Sequence, residues 1–257
     1  MKNSILTALF LFVLMAMQAQ EDSLKPYYQT LEWNDDGSRC DWCANDSIHQ
    51  AEYGIDKMVI EYYYSPTYDY NLVEYRTFHK LVRVHTEKAV NSFNQIYMNL
   101  NNAVDLVDAR ARVIKPNGEV VYLKKEDILE AKNFEEYGRF KYFALEGIEI
   151  GSDIEYTYTV LKAPYLDGSS YAFQSDLPHH KVEFRLLAPN NLIFAFQSDN
   201  GFPEIQQDTT DTTRNVWVAQ TEKIPPRFNE PYSSYEPSLQ GIQFKIEENS
   251  AGGPLIW

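Results

Sequence analysis

Cys40 and Cys43 are the only thiols in the chain, and they stand three apart in Cys40-Asp41-Trp42-Cys43. Thiols at that spacing support three chemistries. They close a small disulfide loop, which constrains the unfolded chain by about 2 kcal/mol in the chain-entropy account. They make a redox centre when the first thiol sits at a helix N-terminus after a strand, where its pKa falls. They supply half of a zinc site. Here Asp35, Asp36 and Asp41 surround the pair in a polar, turn-rich segment. Their negative charge opposes thiolate formation, so a local disulfide or a pair of inert thiols is the leading reading and a thiol-dependent or hydrolytic enzyme using Cys40 or Cys43 the alternative.

The five histidines are His49, His79, His85, His179 and His180. None lies in an HExxH pattern or at a spacing to cysteine that completes a zinc site. His79 and His85 read as ordinary surface or half-buried strand histidines. His179 and His180 are adjacent, so in an extended chain their rings point to opposite faces and one metal cannot readily use both. Nucleophilic catalysis lacks its usual patterns, with no GxSxG, no SxxK and no cysteine after Cys43. Asp35-Asp36-Gly37 resembles the start of a calcium loop, yet no glutamate stands at the twelfth position, and a plain turn is the simpler reading. No catalytic, cofactor-binding or metal-ligating residue is therefore assigned, and no cofactor is expected. One repeated pattern is more suggestive. Asp22-Ser23-Leu24, Asp46-Ser47-Ile48, Asp208-Thr209-Thr210 and Asp211-Thr212-Thr213 resemble a three-residue O-glycosylation acceptor used in some Gram-negative bacteria. Ser23, Ser47, Thr209 and Thr212 are thus candidate modification sites.

Around these residues the chain is acidic and apolar enough to fold. It carries 23 Lys+Arg against 37 Asp+Glu, a formal net charge of -14, and 44% hydrophobic residues. That charge excludes nucleic acid and anionic lipid as main partners, because both are bound by basic surfaces. Residues 1–20 read as a secretory signal peptide, with Lys2 at the positive end, an apolar stretch from Ile5 to Met17, and Ala19 suited to cleavage. The stretch is too short to span a bilayer, and no later run approaches that length. The expectation is an exported protein, periplasmic or at the cell surface, with no membrane span after signal removal.

The elements that must position these residues read mostly as strands. Met58 to Tyr64 is β-branched and aromatic, and Asn71 to Thr86 continues with an imperfect apolar parity that predicts a bulge near Phe78. Ala109 to Val121 predicts a hairpin through Lys115-Pro116-Asn117-Gly118, since Asn-Gly accepts positive φ. Lys124 to Lys132 is the one credible helix, a short surface connector. Asp153 to Val160 and Lys181 to Leu186 alternate with period two, which predicts one buried and one wet face. Val216 to Val218 and Ile242 to Ile246 supply late strands. Between them the prolines at 225, 226 and 231 require an extended segment. The class is all-β, an antiparallel β-sandwich with one short connector helix. The 19 tyrosines suit a sheet-face core more than an exposed sugar-stacking platform, since many sit at alternating strand positions.

Three blocks in order, Val107 to Gly118, Phe143 to Tyr158 and Tyr171 to Pro178, resemble domain-of-unknown-function family 3857. The resemblance covers about residues 56 to 246. It implies an exported bacterial all-β domain that commonly stands N-terminal to a transglutaminase-like core, which would use a Cys, His and Asp. No cysteine follows Cys43, so that catalytic core is expected to be missing here, and the family brings no agreed catalytic residues. The expected organisation is a signal peptide at 1–20, a polar segment with the cysteine pair at 21–55, the β-sandwich at 56–246 and a tail at 247–257. The expected role is a non-catalytic accessory or binding module. Its partner would be a protein or glycan in the envelope, including a separately encoded transglutaminase-like enzyme.

Overall fold

The computed structural model describes residues 26–30, 39–44, 48–69, 71–130, 139–230, 232 and 234–251. Residues 1–20, expected from the sequence to be a signal peptide, lie outside the described residues. The chain divides into two compact units, Met1–Trp33 and Asn34–Trp257. Among the described residues, the first holds a 3-10 turn, Tyr27–Thr30.

The second unit contains β1 (Ala51–Ser65), β2 (Asn71–Val84), α1 (Glu87–Phe93), β3 (Gln95–Asn99), β4 (Ala103–Ile114) and β5 (Val120–Tyr122). There follow β6 (Ile128–Glu130), β7 (Phe140–Ala144), β8 (Asp153–Lys162), β9 (Ser169–Ala172) and β10 (His179–Ala188). The last elements are β11 (Leu192–Asp199), β12 (Gln206–Asp208), β13 (Asn215–Ile224) and β14 (Gly241–Asn249). Thus β1 begins ahead of residue 56 and β14 runs past residue 246, beyond both expected domain limits. Eight strands form one sheet in the order β12-β13-β10-β1-β2-β8-β4-β5, and two three-stranded sheets run β11-β14-β9 and β3-β7-β6. The β1–β10 pair is parallel and the other described pairs are antiparallel. No helix among the described residues is long and apolar enough to cross a membrane.

Both small sheets cover the same face of the large one. Met58, Ile60, Phe184 and Leu186 pack with Phe194, Ile242, Phe244 and Ile246 at one end. Val82, Ala111, Val113, Ile154 and Tyr156 pack with Ile96, Met98 and Phe143 at the other. Registers connect the two ends, because Met58 opposes Phe78 and Phe78 opposes Tyr158. We call this covered side the inner face.

Several elements differ from the sequence expectation. Of the stretch expected to be a helix, the described residues 124–130 do not form an α-helix. A 3-10 turn, Lys125–Asp127, leads into β6, whose Ile128 opposes Phe143 of β7. Pairing with β7 places Ile128 against the core that contains Phe143, whereas a two-turn helix with a narrow apolar side is marginal on its own. The connector helix is α1, started by Thr86, whose hydroxyl accepts from the Ala89 amide at 3.2 Å while Ala89 is buried. The bulge is not at Phe78, which pairs regularly on both sides. It falls at Gly54, where the β1–β2 register slips between Tyr53 and Ile55. That slip puts Tyr53, opposite Val82, and Asp56, opposite Lys80, on one face. The Asn117-Gly118 turn forms as expected, with Gly118 at φ 86° and Ile114 opposite Val120. Finally, β8 has no wet face, since Asp153, Glu155, Thr157 and Thr159 are all buried.

Candidate functional site

The buried polar side of β8 belongs to the outer face of the large sheet, and the cysteine pair lies there. Cys40 and Cys43 are joined as a disulfide that packs on Leu81 and sits over Gly54, where a Cβ would collide with both sulfurs. Arg83 grips Asp153 with two parallel bonds, Nε to Oδ1 at 2.7 Å and Nη2 to Oδ2 at 2.9 Å. The same guanidinium donates to the Cys40 carbonyl at 2.9 Å and the Cys43 carbonyl at 3.1 Å. The Cys40 amide donates to Asp153 Oδ2 at 2.8 Å. A buried bidentate pair is thereby satisfied on every side, and the loop is fastened to the sheet. It offers no free thiol for redox or acyl chemistry.

Two more carboxylates on this face hold histidines. Glu52 bridges His85 and His180, each Nε2 at 2.9 Å from one of its oxygens. Glu155 accepts from His79 at 2.7 Å and from Arg112 Nε at 2.8 Å. Burial alone would push the Glu155 carboxyl up, and His79 and Arg112 overcome it, holding it below the usual carboxylate range.

The inner face holds a different cluster where the two apolar ends meet. His179 Nδ1 lies 2.8 Å from Asp56 Oδ2, and His179 Nε2 lies 2.8 Å from Ser175 Oγ. Lys80 Nζ sits 3.0 Å from Asp56 Oδ1 and 5.0 Å above the Tyr53 ring. Tyr53 stacks on His179 at 4.4 Å. Asp56 and His179 are 1% and 3% exposed, whereas Ser175 is only half-buried. Burial would raise the Asp56 carboxyl, yet the Lys80 ammonium and the His179 bond leave it below its ordinary value. Burial likewise works against the Lys80 charge, and the Asp56 carboxylate beside it outweighs that, so Lys80 stays protonated. Burial raises the Tyr53, Tyr156 and Tyr171 hydroxyls, which stay neutral.

An ionised carboxylate only accepts, so the Nδ1 facing Asp56 carries the imidazole proton and Nε2 is the acceptor for the Ser175 hydroxyl. The Ser175 turn is held by the proline-rich segment, with the Arg227 amide on the Ser175 carbonyl at 2.7 Å and Gln174 Nε2 on the Pro225 carbonyl at 2.9 Å. The Leu177 amide donates to Ser175 Oγ at 3.2 Å. Chemically this is a hydroxyl, a base and an orienting carboxylate in sequence.

His179 and His180 do face opposite sides, as their adjacency predicts, and each serves a different carboxylate. Among the described residues, no three His, Cys, Asp or Glu are grouped to hold a metal. Thr209 and Thr212 are exposed in the turn between β12 and β13. Asp208 Oδ1 accepts from the Thr210 amide and hydroxyl at 3.0 and 2.6 Å, and Asp211 Oδ1 from those of Thr213 at 2.9 and 2.6 Å. Each aspartate is thus engaged by the second threonine, leaving the middle hydroxyl to solvent. Ser23 and Ser47 lie outside the described residues. Sequence reasoning missed Asp56, Lys80 and Ser175, because Asp56 and His179 are 123 residues apart and no short motif announces them.

No curated protein matches the chain. A solved structure described as a putative protease from Parabacteroides distasonis ATCC 8503 is similar at TM-score 0.63 and 15% identity, covering 76% of this chain and 40% of that one. The chain therefore spans less than half the length of that protein. A second, described as a putative nutrient binding protein from Legionella pneumophila subsp. pneumophila str. Philadelphia 1, aligns at TM-score 0.36 and 8% identity, covering 76% of this chain and 67% of that one. The family model described as Domain of Unknown Function with solved-structure structure (DUF3857) matches residues 73–228, from within β2 to the segment after β13. That span is most of the chain and carries Ser175, His179 and the large sheet's β8, β10 and β13, and the protein belongs to the DUF3857 family.

Proposed function

We propose that this protein is an exported accessory module of the cell envelope, a β-sandwich that binds a protein or glycan partner and serves a separately encoded transglutaminase-like enzyme without itself supplying that enzyme's chemistry. The observation that carries the reading is the recurrence of this fold over 40% of a longer chain described as a putative protease. A fold that accompanies a larger catalytic chain suits an auxiliary role. The sealed Cys40–Cys43 disulfide supports it too, since a thiol enzyme needs an accessible thiolate.

The surface offered to a partner includes the outward side of the β3-β7-β6 sheet. Tyr97 and Tyr142 stack there with ring centroids 5.7 Å apart, and Tyr97 is 59% exposed. Exposed stacked rings suit a sugar face or an apolar side chain. Of the other strand tyrosines, Tyr62, Tyr75 and Tyr156 are buried as core. The test is affinity capture from the native envelope with the tagged chain, beside a Tyr97→Ala/Tyr142→Ala variant. The expected outcome is recovery of a transglutaminase-like enzyme or a defined glycan by the wild type and at least tenfold less by the variant. Equal background recovery by both, together with a silent glycan array, overturns the reading.

A further inference from the structure

We propose that Ser175 is a nucleophile that takes an acyl group from an uncharged carboxylic ester, with His179 as its general base and Asp56 as the residue that positions the imidazole. This goes beyond the accessory role, which concerns the partner surface and is tested separately by capture. Three geometric facts converge on Ser175. Its hydroxyl lies 2.8 Å from His179 Nε2, within reach for proton transfer. The opposite ring nitrogen is held at 2.8 Å by a carboxylate that is 1% exposed, so the ring cannot turn without stranding that charge. Tyr53, stacked on the ring at 4.4 Å, blocks the remaining rotation.

The members of the triad differ in exposure. Asp56 and His179 are sealed beneath the sheet, while Ser175 is half-buried beside the Arg227 backbone, next to Phe228, which is 64% exposed. Of the hydroxyl, the imidazole and the carboxylate, the hydroxyl is therefore the group that solvent reaches most readily. Asp176, exposed and adjacent in sequence, together with the net charge of -14, disfavours anionic acyl groups.

In the step, Ser175 Oγ bonds to the ester carbonyl carbon as its proton passes to His179 Nε2. The carbon–oxygen bond to the alcohol then breaks, and His179 returns the proton to the departing alkoxide. Water repeats the sequence on the acyl-serine, giving its proton to His179, and the acyl–Oγ bond breaks with reprotonation of Ser175. Atoms and electrons balance with ester and water alone. Asp56 stabilises the transient imidazolium, and Lys80, 3.0 Å from its other oxygen, keeps the carboxylate in place.

The experiment is labelling of the purified full chain with a fluorophosphonate probe, followed by intact mass and peptide mapping. One adduct per chain on Ser175, lost in Ser175→Ala and slowed about 10²-fold or more in His179→Gln, is the expected result. Asp56→Asn should slow labelling per folded molecule by a similar factor and alter its pH profile, which a purely structural role would not do. Should Ser175→Ala fail to fold, Ser175→Cys serves instead. With the native cysteines oxidised it is the single free thiol, and its alkylation by iodoacetamide should exceed that of free cysteine at least tenfold. A folded wild type that stays unlabelled, an adduct on another residue, or an ordinary alkylation rate at Cys in Ser175→Cys overturns the proposal.

Discussion

Two buried aspartates on opposite faces of one sheet show how the same burial leads to different chemistry. Asp153 on the outer face is 0% exposed and Asp56 on the inner face 1%. Asp153 meets Arg83, a guanidinium that does not release its proton, and the network ends on the carbonyls of the disulfide loop. Nothing in it can move a proton, so it is a fastening. Asp56 meets His179 and Lys80, groups that exchange protons, and its network ends on a hydroxyl at the surface. Burial makes both costly to disturb, and the identity of the last partner separates a clamp from a relay.

The sharpest way to break that contrast is to remove Arg83. Arg83→Ala leaves Asp153 charged and buried, and we expect a loss of about 3–5 kcal/mol in urea denaturation. Ser175→Ala removes two neutral bonds at a half-buried site, with His179 Nε2 and from the Leu177 amide, and should cost about 1–2 kcal/mol. Equal losses would show the two networks to be the same kind of structure.

A smaller effect is expected from the disulfide. Cys40→Ala/Cys43→Ala should lower stability by about 2 kcal/mol, since the loop it closes is short. The native protein should not react with thiol reagents until the disulfide is reduced. Rapid alkylation of the folded, unreduced chain would revive a thiol chemistry on the outer face.

The smallest effect is the acid response. Asp56 and Glu155 both titrate below their ordinary values in the folded protein. On acidification the unfolded chain therefore takes up these protons first, at about pH 4. The stabilisation is fully present above that range and is lost as pH falls through the depressed folded values. Asp56→Asn should flatten the acid limb of the denaturation midpoint against pH, and an unchanged slope would show that Asp56 contributes nothing there.

How much of this was legible in the sequence depends on how local each determinant is. The Asn117-Gly118 hairpin was, because positive φ at Gly118 is a property of two residues. The opposed directions of His179 and His180 follow from strand period alone. The bulge was not, because Gly54 is chosen by the disulfide sitting over it, and that loop comes from another part of the chain. The helix expected at Lys124 to Lys132 yielded to β7, which offered Ile128 a partner strand. The polar parity of β8 looked wet because its partners Arg83, His79 and Arg112 lie on β2 and β4.

By itself, the sequence determined the all-β class, the alternation of β8 and β10, the cysteine pair and the net charge of -14. These depend on residue type and short spacing. Only the tertiary structure decided that Asp56, Lys80, Ser175 and His179 meet. Their meeting requires the parallel β1–β10 pairing that sets Tyr53 opposite His179, and the slip at Gly54 that turns Asp56 to the same face. Strand partners far apart in the chain are selected by burial of the whole sheet, and no local pattern encodes that choice.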